Sequence, residues 1–171
     1  MAQHIFLSGV GTEPLGQSLR RSLIQEQSRV VGIAAAFVSI EGVRQLIDTL
    51  GRSGQPKCRL VAGTDNAVTH PEALYAAREQ GWAVRLGKRS VGIFHPKLIV
   101  AGDRFTRTGA IHELCYTYVG SSNLTGGGLS RNVECGFAAE AQGCLVSGSD
   151  AFAELWNSAL PATAVALRDY S

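Results

Sequence analysis

The sequence predicts an α/β fold with a mixed, mostly parallel β-sheet flanked by helices on both faces. In the first half of the chain, apolar runs rich in β-branched residues alternate with amphipathic helical patterns, which is typical of βαβ units. In the second half, strand-like segments follow one another directly, which indicates hairpins within the same sheet. A chain of 171 residues can bury a core without disulfides or metals, so one domain over residues 1–171 is predicted.

The elements of the first half follow from the spacing of apolar residues. After a short strand at 4–8, Leu15, Leu19 and Leu23 recur at helical spacing, so a helix is predicted from about Pro14 to Gln27. The later elements of this half are a buried strand near 30–37, a helix from about 41 that ends between Gly51 and Gly54, a buried strand at 57–64, a helix over 70–81 and a short strand at 82–87.

The second half is predicted as three consecutive strands and a closing helix. The strands are HPKLIVAG at 95–102, ELCYTYVGS at 113–121 and NVECGFAAE at 132–140, and the helix lies within 148–160. The segment 102–114 is polar and rich in turn-forming residues, so we expect a hairpin loop between the first two of these strands.

Composition excludes several classes of protein. The net charge is only +2, so any attraction to a polyanion must come from local clusters of basic residues. The candidates are Arg85 with Lys88 and Arg89, and Arg104 with Arg107. The alternative is that each of these clusters forms a solvated turn. No secretory signal is recognised and no apolar run is long enough to span a bilayer. We therefore expect a cytoplasmic protein that does not contact membranes.

The four cysteines predict neither a metal site nor a disulfide framework. None of them stands in a CxxC pair, and no histidines cluster around them. They are Cys58, Cys115, Cys135 and Cys144. Buried reduced thiols are expected, and the sequence predicts no cofactor and no bound metal.

Three short motifs carry the chemistry. His95 and Lys97 stand two residues apart at the start of an apolar strand, and residues i and i+2 of a strand point to the same face. Asn123 follows the end of the next strand in the turn GSSN, and Glu134 lies on the strand after that. Neighbouring strands are therefore expected to bring these four side chains together.

These residue types suit displacement at phosphorus. A neutral imidazole is a nucleophile that can form a phosphoenzyme. A lysine ammonium and an asparagine amide donate to phosphoryl oxygens. A carboxylate bonded to the far ring nitrogen holds the tautomer of a histidine and stabilises its charged form. Because cationic side chains can stabilise the transition state, such a site needs no metal.

The motifs HPK, GSSNLT and NVE resemble the phospholipase D superfamily, in which HxK is followed by GSxN and a downstream acid. The segment from Gly63 to Val100 is similar in sequence to members of the nuclease branch of this superfamily. That branch includes metal-independent restriction endonucleases and helicase-associated nuclease domains. The resemblance covers about residues 30–140. One departure is that the fuller pattern HxKxxxxD requires an aspartate at position 102, where this chain has Gly102 followed by Asp103.

The resemblance implies a role for each motif residue. His95 attacks phosphorus or protonates the leaving oxygen, Lys97 and Asn123 bind the phosphoryl oxygens, and Glu134 orients His95. Substrate binding is also expected of two serines of the turn GSSN, with turn formation as the alternative for the second. These serines are Ser121 and Ser122.

The chain has one HxK copy, and family members with one copy form homodimers. The sequence thus predicts a metal-independent phosphodiesterase that cleaves DNA, or RNA, through a phosphohistidine in a site shared by a homodimer. We expect either a non-specific nuclease or the catalytic domain of a larger restriction or defence protein. Two alternatives stay open: a phospholipase D or phosphatidyl transferase acting on phospholipid, and a non-catalytic nucleic-acid-binding domain.

Overall fold

The computed structural model describes residues 2–8, 12–87, 92–140 and 146–170. The strands in this part of the chain are β1 (Ala2–Ser8), β2 (Val30–Ala35), β3 (Lys57–Gly63), β4 (Ala83–Gly87), β5 (Lys97–Phe105), β6 (Ile111–Gly120), β7 (Glu134–Glu140) and β8 (Leu160–Pro161). The helices are α1 (Leu15–Gln25), α2 (Ile40–Gly51), α3 (Pro71–Glu79), α4 (Val146–Ser158) and α5 (Ala164–Tyr170).

The described strands form one mixed sheet in the order β1-β7-β6-β5-β2-β3-β4-β8. The prediction of a mixed sheet between helices is confirmed, but the expectation that parallel pairs dominate is wrong. Only β2–β3 and β3–β4 are parallel, and the other five described pairs are antiparallel. The reason is that a parallel pair needs a crossover, which α2 and α3 supply, whereas a short connection joins neighbours such as β5 and β6 antiparallel.

Alternation along the strands divides the core between the two faces of the sheet. On β2, Val31 and Ile33 belong to the cluster that packs against α1, α2, α3 and α5. Val30 and Ala34 belong to a second cluster, in which Phe152 of α4 lies fully buried. Helices thus cover both faces, as predicted, with four on one side and α4 on the other.

Most predicted elements are present with shifted ends. The predicted strand at 95–102 begins instead at Lys97 and continues to Phe105, and β6 begins at Ile111. The hairpin loop is therefore 106–110 rather than 102–114. Sequence patterns missed β8 and α5, because a two-residue strand and a seven-residue helix are too short to show a periodic signal.

Two of the cysteines match the prediction of buried thiols. Cys58 and Cys115 are buried, and their burial raises the pKa of each thiol. Cys135 is exposed, because β7 leaves this face of the sheet uncovered at that position. Cys144 lies outside the described residues. In the described ranges, none of the helices has the length and apolar character to cross a membrane.

Candidate active site

The sheet topology brings the three motifs to one edge. Lys97, the first residue of β5, pairs with Ala35 at the end of β2. Gly120, the last residue of β6, pairs with Gly136 near the start of β7. Because these neighbours run antiparallel, the start of β5, the end of β6 and the start of β7 lie side by side. His95 lies just before β5, Asn123 lies just after β6, and Glu134 is the first residue of β7.

His95 and Lys97 are in contact, although only Lys97 belongs to the strand. Pro96 separates them, and its carbonyl accepts a hydrogen bond from the Ala36 amide at 2.8 Å. Proline has no N–H for the ladder, so β5 starts after it. The Lys97 ammonium nitrogen lies 3.1 Å from Nδ1 and 3.2 Å from Nε2 of the exposed His95 ring. Contrary to the expectation, the two residues therefore do not share one face of a strand. Instead, Lys97 at the first position of β5 contacts His95, which precedes the strand.

Asn123 is held by the end of β2. Its side-chain Oδ1 accepts the backbone N–H of Phe37 at 3.1 Å, and the next amide, that of Leu124, donates to the Phe37 carbonyl at 3.1 Å. These bonds fix the side-chain amide so that Nδ2 points away from the backbone it is tied to. Within the described residues Nδ2 has no acceptor, so it is available to donate to a ligand oxygen.

The two serines of the GSSN turn have different surroundings. Ser121 is exposed, donates its hydroxyl to Glu134 Oε2 and accepts the Cys135 amide at 3.1 Å. Ser122 is buried, and its hydroxyl lies 2.9 Å from the hydroxyl of Tyr118. This burial favours the turn-forming role for Ser122 over substrate binding, whereas Ser121 supports the acid at the edge.

Glu134 is buried at the start of β7 and is held by two donors. Ser121 donates to Oε2 and the Asn132 side chain donates to Oε1 at 3.2 Å. Burial lowers the pKa of Lys97 below its usual value, and the negative charge of Glu134 offsets part of this decrease. Within the described residues the polar contact of the His95 ring is Lys97, and no hydrogen bond joins Glu134 to His95. The orienting role that the resemblance implied for Glu134 stays a prediction.

Replacing Glu134 with glutamine is expected to narrow the pH range of activity from the alkaline side. The change keeps the side-chain size but removes the negative charge that favours charged Lys97. The pKa of Lys97 then falls further, so the lysine loses its charge at lower pH. The measurement is kcat/KM against pH, with exposed Glu79→Gln as the control. An alkaline limb that stays in place in Glu134→Gln would contradict this coupling.

A cluster that could hold a metal lies far from this edge. Asp103, His112 and Glu113 place one ligand atom each within 4.8 Å of one another. Asp103 is six residues beyond Lys97 on β5, or about 20 Å along the strand. It also pairs with Arg104 at 2.8 Å. Asp103 therefore lies towards the far hairpin of β5 and β6, away from His95.

The predicted basic clusters do not surround His95 in the described chain. Lys88 and Arg89 lie outside the described residues. The Arg85 guanidinium stacks over the Trp156 ring at 4.4 Å and donates to its carbonyl at 2.6 Å. Arg104 is paired with its neighbouring acid. Of the residues that the structure describes, Lys97 places a positive charge next to His95.

Solved structures identify the fold. Nuc from Salmonella typhimurium, a phospholipase D family member, is 17% identical, with a TM-score of 0.61 over 94% of this chain and 97% of Nuc. NucT from Helicobacter pylori is 14% identical, with a TM-score of 0.64 over 94% of this chain and 98% of NucT. Phosphatidylserine synthase from Haemophilus influenzae is 14% identical, with a TM-score of 0.61 over 92% of this chain and 38% of the synthase.

The protein therefore has the phospholipase D fold, as its motifs predicted. At this fold's strand edge it carries an HxK pair, a GSxN turn and a buried acid. No protein-family model matches the chain, and no curated protein matches it.

Proposed function

We propose that the protein is a metal-independent phosphodiesterase that cleaves DNA through a phosphohistidine intermediate. The observation that carries the proposal is the meeting of an exposed imidazole, an ammonium and an unused amide donor at one strand edge. His95, Lys97 and Asn123 supply these groups. Their arrangement on a phospholipase D fold supports phosphoryl transfer, and the motif resemblance to the nuclease branch favours a nucleic acid as substrate.

In the first step a ring nitrogen of neutral His95 attacks phosphorus. A P–N bond forms and the P–O bond to the leaving nucleoside breaks, and that oxygen takes a proton from a general acid. In the second step water attacks the phosphohistidine, the same group now accepts the water proton, and the P–N bond breaks to release His95. Lys97 and Nδ2 of Asn123 donate to the phosphoryl oxygens, whose charge grows in both transition states.

The general acid must be a group other than the nucleophile. His95 has to be unprotonated to attack, so it cannot at the same moment protonate the leaving oxygen. The chain carries one HxK motif, and a two-fold symmetric pair would supply a second histidine in the opposite protonation state. The proposal therefore includes a homodimer, with His95 of the partner subunit as the acid.

The donor set supports catalysis without a metal. The Lys97 ammonium and the Asn123 amide stabilise anionic oxygens directly. The Glu134 carboxylate accepts hydrogen bonds from Ser121 and Asn132. It is therefore committed to positioning rather than offered to a divalent cation.

A phospholipid substrate is the second candidate. It is favoured by the similarity of the fold to phosphatidylserine synthase and by exposed apolar side chains beside His95. Phe37, Val68 and Ile93 are 36%, 45% and 55% exposed. An apolar rim of this kind can contact lipid as well as nucleobases.

The test is cleavage of plasmid and single-stranded DNA in excess EDTA, with Asn123→Asp alongside. Aspartate keeps an oxygen to accept the Phe37 amide, so the fold is retained. It replaces the Nδ2 donor with a negative charge, so we expect kcat to fall by about 100- to 1000-fold. Wild-type cleavage that appears only with magnesium, or an Asn123→Asp variant that is as active as wild type, would overturn the mechanism.

A further inference from the structure

A cavity opens directly beside His95 and Asn123. Its volume is about 340 Å³, within the range of sites that hold small molecules or single groups of larger ones. Three exposed apolar side chains line it together with the two site residues. These are Phe37, Val68 and Ile93. The cavity is therefore apolar in its walls and continuous with the phosphoryl site.

Two further polar residues line the cavity together with His95 and Asn123. They are Asp65 and Asn66. One carboxylate oxygen of Asp65 accepts the Phe94 amide at 2.5 Å, so the carboxylate is held in place. A fixed negative charge repels a second phosphate and accepts hydrogen bonds from amino or imino N–H groups. A planar aromatic ring with N–H groups on its edge can contact the apolar side chains with its face and donate hydrogen bonds to the Asp65 carboxylate.

Phe37 links the cavity to the catalytic donors. Its backbone N–H binds Asn123 Oδ1 and its carbonyl accepts the Leu124 amide, both at 3.1 Å. The aromatic ring is thus carried by the same backbone that positions Asn123. A planar group stacked on this ring would lie next to the phosphoryl oxygens that Asn123 binds.

We infer that the cavity binds the nucleobase next to the scissile phosphate, with Phe37 as its stacking platform. This inference rests on the proposed nuclease function and narrows it to single-stranded nucleic acid. In a duplex each base is paired and stacked, so it must be extruded before it can enter such a cavity. An unpaired base stacks on an aromatic side chain without that cost.

The experiment compares a single-stranded oligothymidylate with an oligonucleotide of equal length made of abasic residues. We expect wild type to prefer the base-bearing strand, measured as the ratio of the two kcat/KM values. Phe37→Ala should lower this ratio about 10- to 100-fold. Phe37→Trp should keep it, because indole also stacks. Ile24→Ala removes a comparably exposed apolar side chain on α1 and should leave the ratio unchanged.

Three outcomes would overturn the inference but not the proposed nuclease function. They are a kcat/KM ratio in Phe37→Ala that equals the wild-type ratio, a ratio in Phe37→Trp that falls as far as in Phe37→Ala, and duplex DNA that is cleaved as fast as the single strand. A different result would remove the proposed function as well: wild type that cleaves neither strand but cleaves phosphatidylglycerol vesicles. In that case the cavity holds a lipid group. Because wild type is active in the first set of outcomes and inactive on both strands in the second, the two failures are distinguishable.

Discussion

Replacing His95 with alanine is expected to lower the rate of DNA cleavage by about 10⁴-fold or more, as removal of a covalent nucleophile does. The fold should survive, because the ring is exposed and its polar contact within the described residues is Lys97. The measurements are single-turnover cleavage and the thermal unfolding of the same preparations. A trapped phosphoenzyme in wild type that is missing from His95→Ala would identify His95 as the attacking residue.

A matched control is available on the same chain. His112 is also an exposed histidine, with 44% of its side chain accessible, but it lies at the far end of the β5–β6 hairpin. His112→Ala should therefore cleave at the wild-type rate. If His95→Ala retained substantial activity, or if both variants lost activity to the same degree, His95 would not be the nucleophile.

Replacing Gly42 with alanine is expected to damage both stability and catalysis. A Cβ at this position of α2 would overlap the Leu124 carbonyl oxygen and lie 2.6 Å from the Thr125 Cα. These are backbone atoms of the turn that carries Asn123, so the helix and the turn must separate. We expect a loss of about 3 kcal/mol in the free energy of unfolding. The displaced Asn123 amide should also lower kcat by about 100-fold.

Gly51 provides the control for Gly42, since it lies in the same helix with nothing within 4 Å of a built Cβ. Gly51→Ala should raise stability by up to about 1 kcal/mol, because alanine favours the helix. For Gly42→Ala the melting temperature should fall by roughly 6 to 12 °C. Equal melting temperatures for the two variants would show that α2 and the Asn123 turn are not in close contact.

Local patterns allowed most of the elements to be predicted. The leucines of α1 repeat at the helical period and bury one face, and the apolar runs of β2 and β3 are buried on both sides of the sheet. These signals depend only on near neighbours in the chain, so they can be recognised without the fold. The HxK and GSxN motifs are equally local, which is why His95, Lys97 and Asn123 could be named in advance.

The α/β class, the order of the main elements and the residues that suit phosphoryl transfer could thus be predicted from local patterns. How these residues meet became clear from the three-dimensional arrangement of the strands and turns. The pairing of β5 with β2 and the effect of the Glu134 charge on Lys97 involve residues from different elements. The cavity beside His95 likewise combines residues 36–37, 65–66, 68, 93–95 and 123. Such contacts depend on strand pairing and side-chain packing over long sequence separations, which no local period encodes.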